Sequence, residues 1–95
     1  MNYDDIELIN NQASHNFELL VDGQRAFIDY KTKDNKIYLV HTEVPKELQG
    51  QGVAEALVEK AFNYIEQHKL VMIPSCSYVQ LFLKKHPEWD RILAA

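Results

Sequence analysis

Ninety-five residues leave room for one domain built around one core. A hydrophobic content of 46% with ten aromatic residues (one Trp, five Tyr, four Phe) is enough to fill that core, which excludes a disordered chain. The net charge of −4 and the absence of any basic cluster beyond Lys84-Lys85 argue against nucleic acid as the main partner, because duplex binding needs a basic footprint.

In chain order, residues 1–11 are acidic and lack the basic-then-apolar build of a secretory leader, and Ile6, Leu8 and Ile9 suit an edge strand or a loosely attached arm. Residues 17–21 read as a strand that turns at Asp22-Gly23, a strong hairpin signal. Residues 25–32 alternate Ala26, Ile28 and Tyr30 with Phe27, Asp29 and Lys31, so a second strand with one apolar face follows. A polar turn at 33–36 leads into a β-branched and aromatic strand over 37–42. Pro45 removes a backbone donor, and strand pairing ends there.

From Val53 onward, Val53, Ala54, Leu57, Val58, Ala61, Phe62 and Ile65 form an i, i+3/i+4 stripe, with Glu55, Glu59, Lys60, Asn63 and Glu66 off it. That pattern predicts an amphipathic helix, closed by His68-Lys69 with positive charge at its C-terminus. Residues 70–74 form a short apolar strand, expected to run parallel to 37–42 because the intervening helix supplies the crossover. Ser75 or Ser77 can cap a final helix over about 78–85 with Val79, Phe82 and Leu83 inward, which His86-Pro87 stops. Residues 88–95, with Trp89, Ile92 and Leu93, then make a short closing segment docked on the sheet. The expected fold class is α+β, an antiparallel meander followed by β-α-β-α, in a single domain over residues 1–95. No apolar run reaches membrane-spanning length, and a soluble cytoplasmic protein is expected, with no membrane partner.

The residues just before the long helix, Gln49-Gly50-Gln51-Gly52, carry two glycines that let backbone approach a ligand without a Cβ in the way. First-turn amides and the positive end of the helix dipole make such a place a physical site for phosphate, although two glycines can equally make a plain turn. A Gly-x4-Gly-Lys-Ser/Thr phosphate loop is absent, and Glu55 stands where a dinucleotide fingerprint needs its third glycine. The segment does match Gln/Arg-x-x-Gly-x-Gly/Ala, here Gln49 to Ala54, entered from a strand through Val44-Pro45. It resembles the acetyl-CoA pyrophosphate loop of the GNAT superfamily of N-acetyltransferases. HTEVP, LQGQGVA, IPSCSYV and the His-Pro-Glu-Trp ending together resemble the very small, single-domain GNAT-like proteins, over roughly the whole chain.

The resemblance implies a GNAT-like fold whose strands before and after the long helix splay apart, with the pantetheine arm of acetyl-CoA between them. Acetyl-CoA is then the acyl-donor cosubstrate. Backbone N–H groups of Gln51, Gly52, Val53 and Ala54, with Gly50 in the turn, would hold the pyrophosphate, and Gln49 would add donors. The main chain around Thr42 and Val44 would pair with the pantetheine amides. A carboxylate on this strand is the base in some members, so Glu43 is the formal candidate; His41 has the better resting pKa for the task. The plainer alternatives are a half-buried His41 bonded to a neighbouring carbonyl and a solvated Glu43 at a strand end.

Cys76 is the only cysteine, which rules out an intrachain disulfide and a multi-cysteine metal site. It lies where the thiol end of CoA should arrive, either as a small buried apolar residue or as a thiol that contacts or accepts the acetyl group. His15, His68 and His86 lack metal-ligand spacing, and no metal is expected. Larger GNAT enzymes protonate the leaving thiolate with a tyrosine on the last helix; here Phe82 stands there, and Tyr78 one turn earlier is the substitute, or else a core or rim aromatic. Lys84 and Lys85 suit a solvated face better than the adenosine phosphates. Residues 23–42 have no room for the two helices that usually wall the acceptor site. The acceptor side should be open, suiting a protein or peptide amine or a second subunit, on a monomer or weak dimer. Two other readings remain: a non-catalytic acetyl-CoA or CoA-binding module, and an interaction protein that binds no CoA.

Overall fold

The structure is a computed structural model and describes residues 3–95. One mixed sheet runs in the order β1 (Ile9–Asn11), β2 (Asn16–Val21), β3 (Gln24–Lys33), β4 (Lys36–Glu43), β5 (Val71–Pro74). The first three pairings are antiparallel and β4–β5 is parallel, joined by α1 (Val53–Gln67). The hairpin turns fall at the predicted places: Asp22 and Gly23, and Asp34, adopt positive φ, which Asp and Gly tolerate better than branched residues. The first two residues of the N-terminal segment lie outside the described residues. Of the rest, an edge strand forms over Ile9–Asn11, taking in Ile9 but not Ile6 or Leu8.

The stripe on α1 faces the sheet as its spacing requires. Leu57, Val58, Ala61, Phe62 and Ile65 are fully buried against Phe17, Leu19, Ile28 and Leu39 of the sheet. A second helix, α2 (Ser77–Lys85), buries Val79, Phe82 and Leu83 on the same side. Phe62 is the keystone between helices: its ring meets Phe82 edge-on at 5.5 Å and Trp89 at 5.4 Å. Trp89 belongs to the closing 3-10 turn Pro87–Ile92, after which Leu93 bridges to Met72 and the Ala94 amide donates to the Met72 carbonyl. The closing segment thus docks on the outer edge of β5.

One expectation about local structure fails. Neither Ser75 nor Ser77 caps α2; Cys76 occupies the N-cap position in an extended conformation, with no side-chain cap bond. The Cys76 amide is instead bonded to the Leu39 carbonyl at 2.8 Å, so it serves the sheet and fixes where the helix can begin.

Both helices lie on one face, and the chain passes between β2, β3 and β4 by short turns alone. Among the described residues the opposite face is therefore uncovered. It carries Leu20 and Val40, both exposed, and a polar row in which the Arg25 Nε donates to Glu18 at 2.7 Å. Burial raises the Glu18 pKa, but hydrogen bonds from Arg25 and Asn11 and the Arg25 charge outweigh it, leaving the carboxyl below its usual value. Its folded pKa being depressed, Glu18 contributes stability above the ordinary carboxylate range that is lost as pH falls through the folded value.

Candidate cofactor and acyl-transfer site

β4 and β5 pair from Lys36↔Val71 to Leu39↔Pro74 and no further. β4 continues to Glu43, held on its other side by β3 through Asp29↔His41 and Phe27↔Glu43. Beyond Leu39 its β5-side edge has no strand partner among the described residues. The fork opens because Pro74 ends β5 and the chain turns at once into α2.

A bulge changes what the fork presents. Asp29 faces His41 and Tyr30 faces Leu39, so Val40 is the extra residue on β4. In an unbroken strand His41 and Glu43 would follow Ile37 and Leu39 into the core. The bulge turns them to the uncovered face instead, where their side chains are 57% and 61% exposed and His41 Nε2 lies 3.7 Å from Glu43 Oε1. His41 is thus not a half-buried residue tied to a carbonyl. It stands across from Asp29, which accepts a hydrogen bond from the buried Asn16 amide, and its ring packs edge-on against Phe27 at 6.5 Å. Sequence alternation alone does not reveal Asp29 and Asn16 as neighbours of His41. It puts Asp29 on the polar side of β3, but register decides who sits opposite.

Thr42, between His41 and Glu43, points the other way. Its hydroxyl lies 3.4 Å from the Cys76 sulfur, with Cys76 buried at the N-cap of α2. The candidate groups therefore flank the fork from two sides: His41 and Glu43 from the open face, Thr42 and Cys76 from the helical face.

Below the fork, a 3-10 turn (Lys46–Leu48) leads into the glycine loop. Gly50 and Gly52 have φ of 80° and 79°, a region open to glycine and strained for other residues, so both glycines are required by the backbone. Gly52 is the N-cap of α1 and supplies no side-chain cap bond, and none is seen among the described residues. The first backbone bond of the helix is Ala56 N–H to Gly52 C=O at 3.1 Å, which leaves the first-turn amides outside the helical ladder. A groove of about 310 Å³ opens there, lined by Val44, Leu48, Gly50, Gly52, Val53 and Tyr78 among others. Gln51 and Gly52 are exposed, Ala54 half-buried, and the Val53 side chain is buried in the core.

Gln49 braces the loop: its side-chain amide donates to the Val44 carbonyl at 3.2 Å and its backbone N–H to the Lys46 carbonyl, which leaves one side-chain N–H for a ligand. Gln51 does likewise, its side chain donating to the Glu47 carbonyl at 2.9 Å. Tyr78 lines the groove and, partly buried, packs against the rim of the core; burial and the nearby Glu55 carboxylate both raise its pKa, keeping the phenol protonated. Phe82 is buried in the aromatic cluster and meets the His86 ring in a tilted contact at 4.4 Å. Among the described residues no cluster of three or more His, Cys, Asp or Glu side chains has metal-binding geometry, and no helix is long and apolar enough to cross a membrane.

Comparison with known proteins agrees with this geometry. The family model described as GCN5-related N-acetyl-transferase matches residues 16–92, from the first residue of β2 to the end of the closing turn. Protein NATD1 from Bos taurus is 29% identical over 85 residues, covering 86% of this chain and 75% of its own length. The Xenopus tropicalis protein of the same name is 28% identical, covering 86% and 78%. The NMR solution structure of a GCN5-like protein from Staphylococcus aureus superposes with a TM-score of 0.71 at 27% identity, covering 97% of this chain and 91% of that one. With its α+β sheet, its fork and its glycine loop in the same order, the chain belongs to the GCN5-related N-acetyltransferase family.

Proposed function

We propose that the protein binds acetyl-CoA and transfers its acetyl group to an amine presented at the uncovered sheet face, an amine carried by a protein or peptide. The observation that carries this reading is the uncapped start of α1, with two positive-φ glycines before it, opening onto a groove beside the β4–β5 fork. First-turn amides outside the helical ladder, with the positive end of the helix dipole behind them, favour a diphosphate there. The fork gives an extended pantetheine arm a free strand edge at residues 40–43 to pair with, as a third strand would.

In the transfer, the amine nitrogen bonds to the acetyl carbon and the carbon–sulfur bond breaks. His41 or Glu43 takes the proton the amine loses, approaching from the open face; Tyr78, held protonated, or solvent supplies one to the departing thiolate. The open face accounts for the class of acceptor. Among the described residues no helix lies over the open face of β2–β4 to wall a small pocket, so an extended polypeptide reaches His41 without obstruction.

A non-catalytic CoA-binding module is the second reading, favoured by Phe82: the position of the usual acid holds a ring packed into the core. Measuring thiol release from acetyl-CoA with a panel of amines and lysine-bearing peptides separates the two. Release is expected with at least one peptide, and replacing whichever of His41 or Glu43 is the base by Gln should lower kcat by about 100-fold or more. Saturable CoA binding with no release from any acceptor would favour the module. Cys76→Ala separates a covalent from a bystander thiol, since a wild-type rate in that variant ends the acyl-thiol route.

A further inference from the structure

The N-terminal arm reaches the glycine loop. Tyr3 is buried, at 6% exposure, within the main core, and its hydroxyl donates to the Gln51 carbonyl at 2.8 Å, across 48 positions of sequence. Gln51 lies between the two positive-φ glycines. The Gln51 carbonyl and the Gly52 N–H belong to one peptide unit, and in a trans peptide the two point in opposite directions. A carbonyl drawn toward the arm therefore sends the Gly52 amide away from it, to the side where Gly50, Val53 and Ala54 line the groove. The Gln51 side chain is fixed at the same time by the Glu47 carbonyl, so one residue is held at two points, one of them supplied by a distant segment.

We infer that Tyr3 is a positioning residue for the diphosphate of the CoA cosubstrate: by holding the Gln51 carbonyl it orients the Gly52 amide toward the groove. The inference rests on the proposed CoA site. It explains why a short acidic arm places a buried tyrosine hydroxyl against this loop, when a phenylalanine would fill the same core space. The Gln51–Gly52 peptide turns about ψ of Gln51 and φ of Gly52, and glycine leaves the second rotation unrestricted, so an external restraint helps select one orientation. A preset orientation removes an ordering cost that the ligand would otherwise meet on binding.

The test is Tyr3→Phe, which keeps the ring and removes one hydroxyl. The dissociation constant for CoA should rise about 3- to 10-fold, the range for losing one hydrogen bond's contribution. KM for acetyl-CoA should rise alongside with kcat unchanged, and kcat/KM for S-acetylpantetheine, which lacks the diphosphate, should stay at the wild-type value. Unchanged CoA affinity in the variant, or an equal loss toward S-acetylpantetheine, would overturn the inference while leaving the CoA site in place. A wild-type protein that ignores CoA would instead remove the site itself, and the role of Tyr3 with it.

Discussion

Glutamate in place of Gly52 is expected to weaken CoA binding by at least about 100-fold while the protein remains folded. Gly52 sits at φ 79°, where a side chain costs about 1–2 kcal/mol. Space is not the obstacle, since a Cβ built there meets nothing within 4 Å. A carboxylate beside the first turn of α1 also interacts favourably with the helix dipole, by about 0.3–1 kcal/mol, which offsets part of the strain. The free protein should therefore lose little stability. The bound state loses much more: the new carboxylate can take the amides meant for the diphosphate, and it repels that group by charge. Gly52→Ala supplies the control, carrying the backbone strain without the charge, and should lose less than about tenfold. Calorimetric titration of both variants checks the difference. Equal effects from Ala and Glu would mean that backbone conformation, and not an anion site, is what the glycine provides.

Phe62→Ala should be the most damaging single change to stability, at about 3–5 kcal/mol. The residue is fully buried, and its ring meets both Phe82 of α2 and Trp89 of the closing turn edge-on. Truncation removes two edge-on aromatic contacts and leaves a cavity that three elements border, so no single one can close it. For a chain of this size the melting temperature should fall by at least about 12 °C. Leu81→Ala, on the exposed side of α2, should stay within about 0.5 kcal/mol of wild type. A small shift for Phe62→Ala, comparable to that of Leu81→Ala, would show that α2 and the closing turn do not pack against α1 as described.

Much of this architecture is legible in the residues because local and global preferences agree. The α1 stripe, the Asp22-Gly23 hairpin and the alternation of Ala26, Ile28 and Tyr30 each specify one element and one buried face. The glycine loop is legible for the same reason, since Gly50 and Gly52 are needed where the backbone enters positive φ. What the residues conceal depends on contacts distant in sequence. The run Ile37-Tyr38-Leu39-Val40-His41-Thr42 reads as an unbroken strand, and nothing in it marks Val40 as a bulge; pairing with β3 imposes that, and with it the face His41 occupies. That the Gln49 amide also braces the loop through the Val44 carbonyl is visible only in the fold. The capping serines mislead because sheet bonding at Cys76 decides where α2 starts. Tyr3 has no motif at all, and only folding brings its hydroxyl to Gln51.

The central claim is that the start of α1 and the β4–β5 fork together hold acetyl-CoA. A ¹⁵N-edited NMR titration of the protein with acetyl-CoA addresses it most directly, because every amide in the loop reports for itself. Chemical-shift changes should centre on residues 42–54 and 73–78, with the Gly52 and Val53 amides moving most. Silence at millimolar acetyl-CoA, or changes confined to residues remote from the loop and the fork, would contradict it.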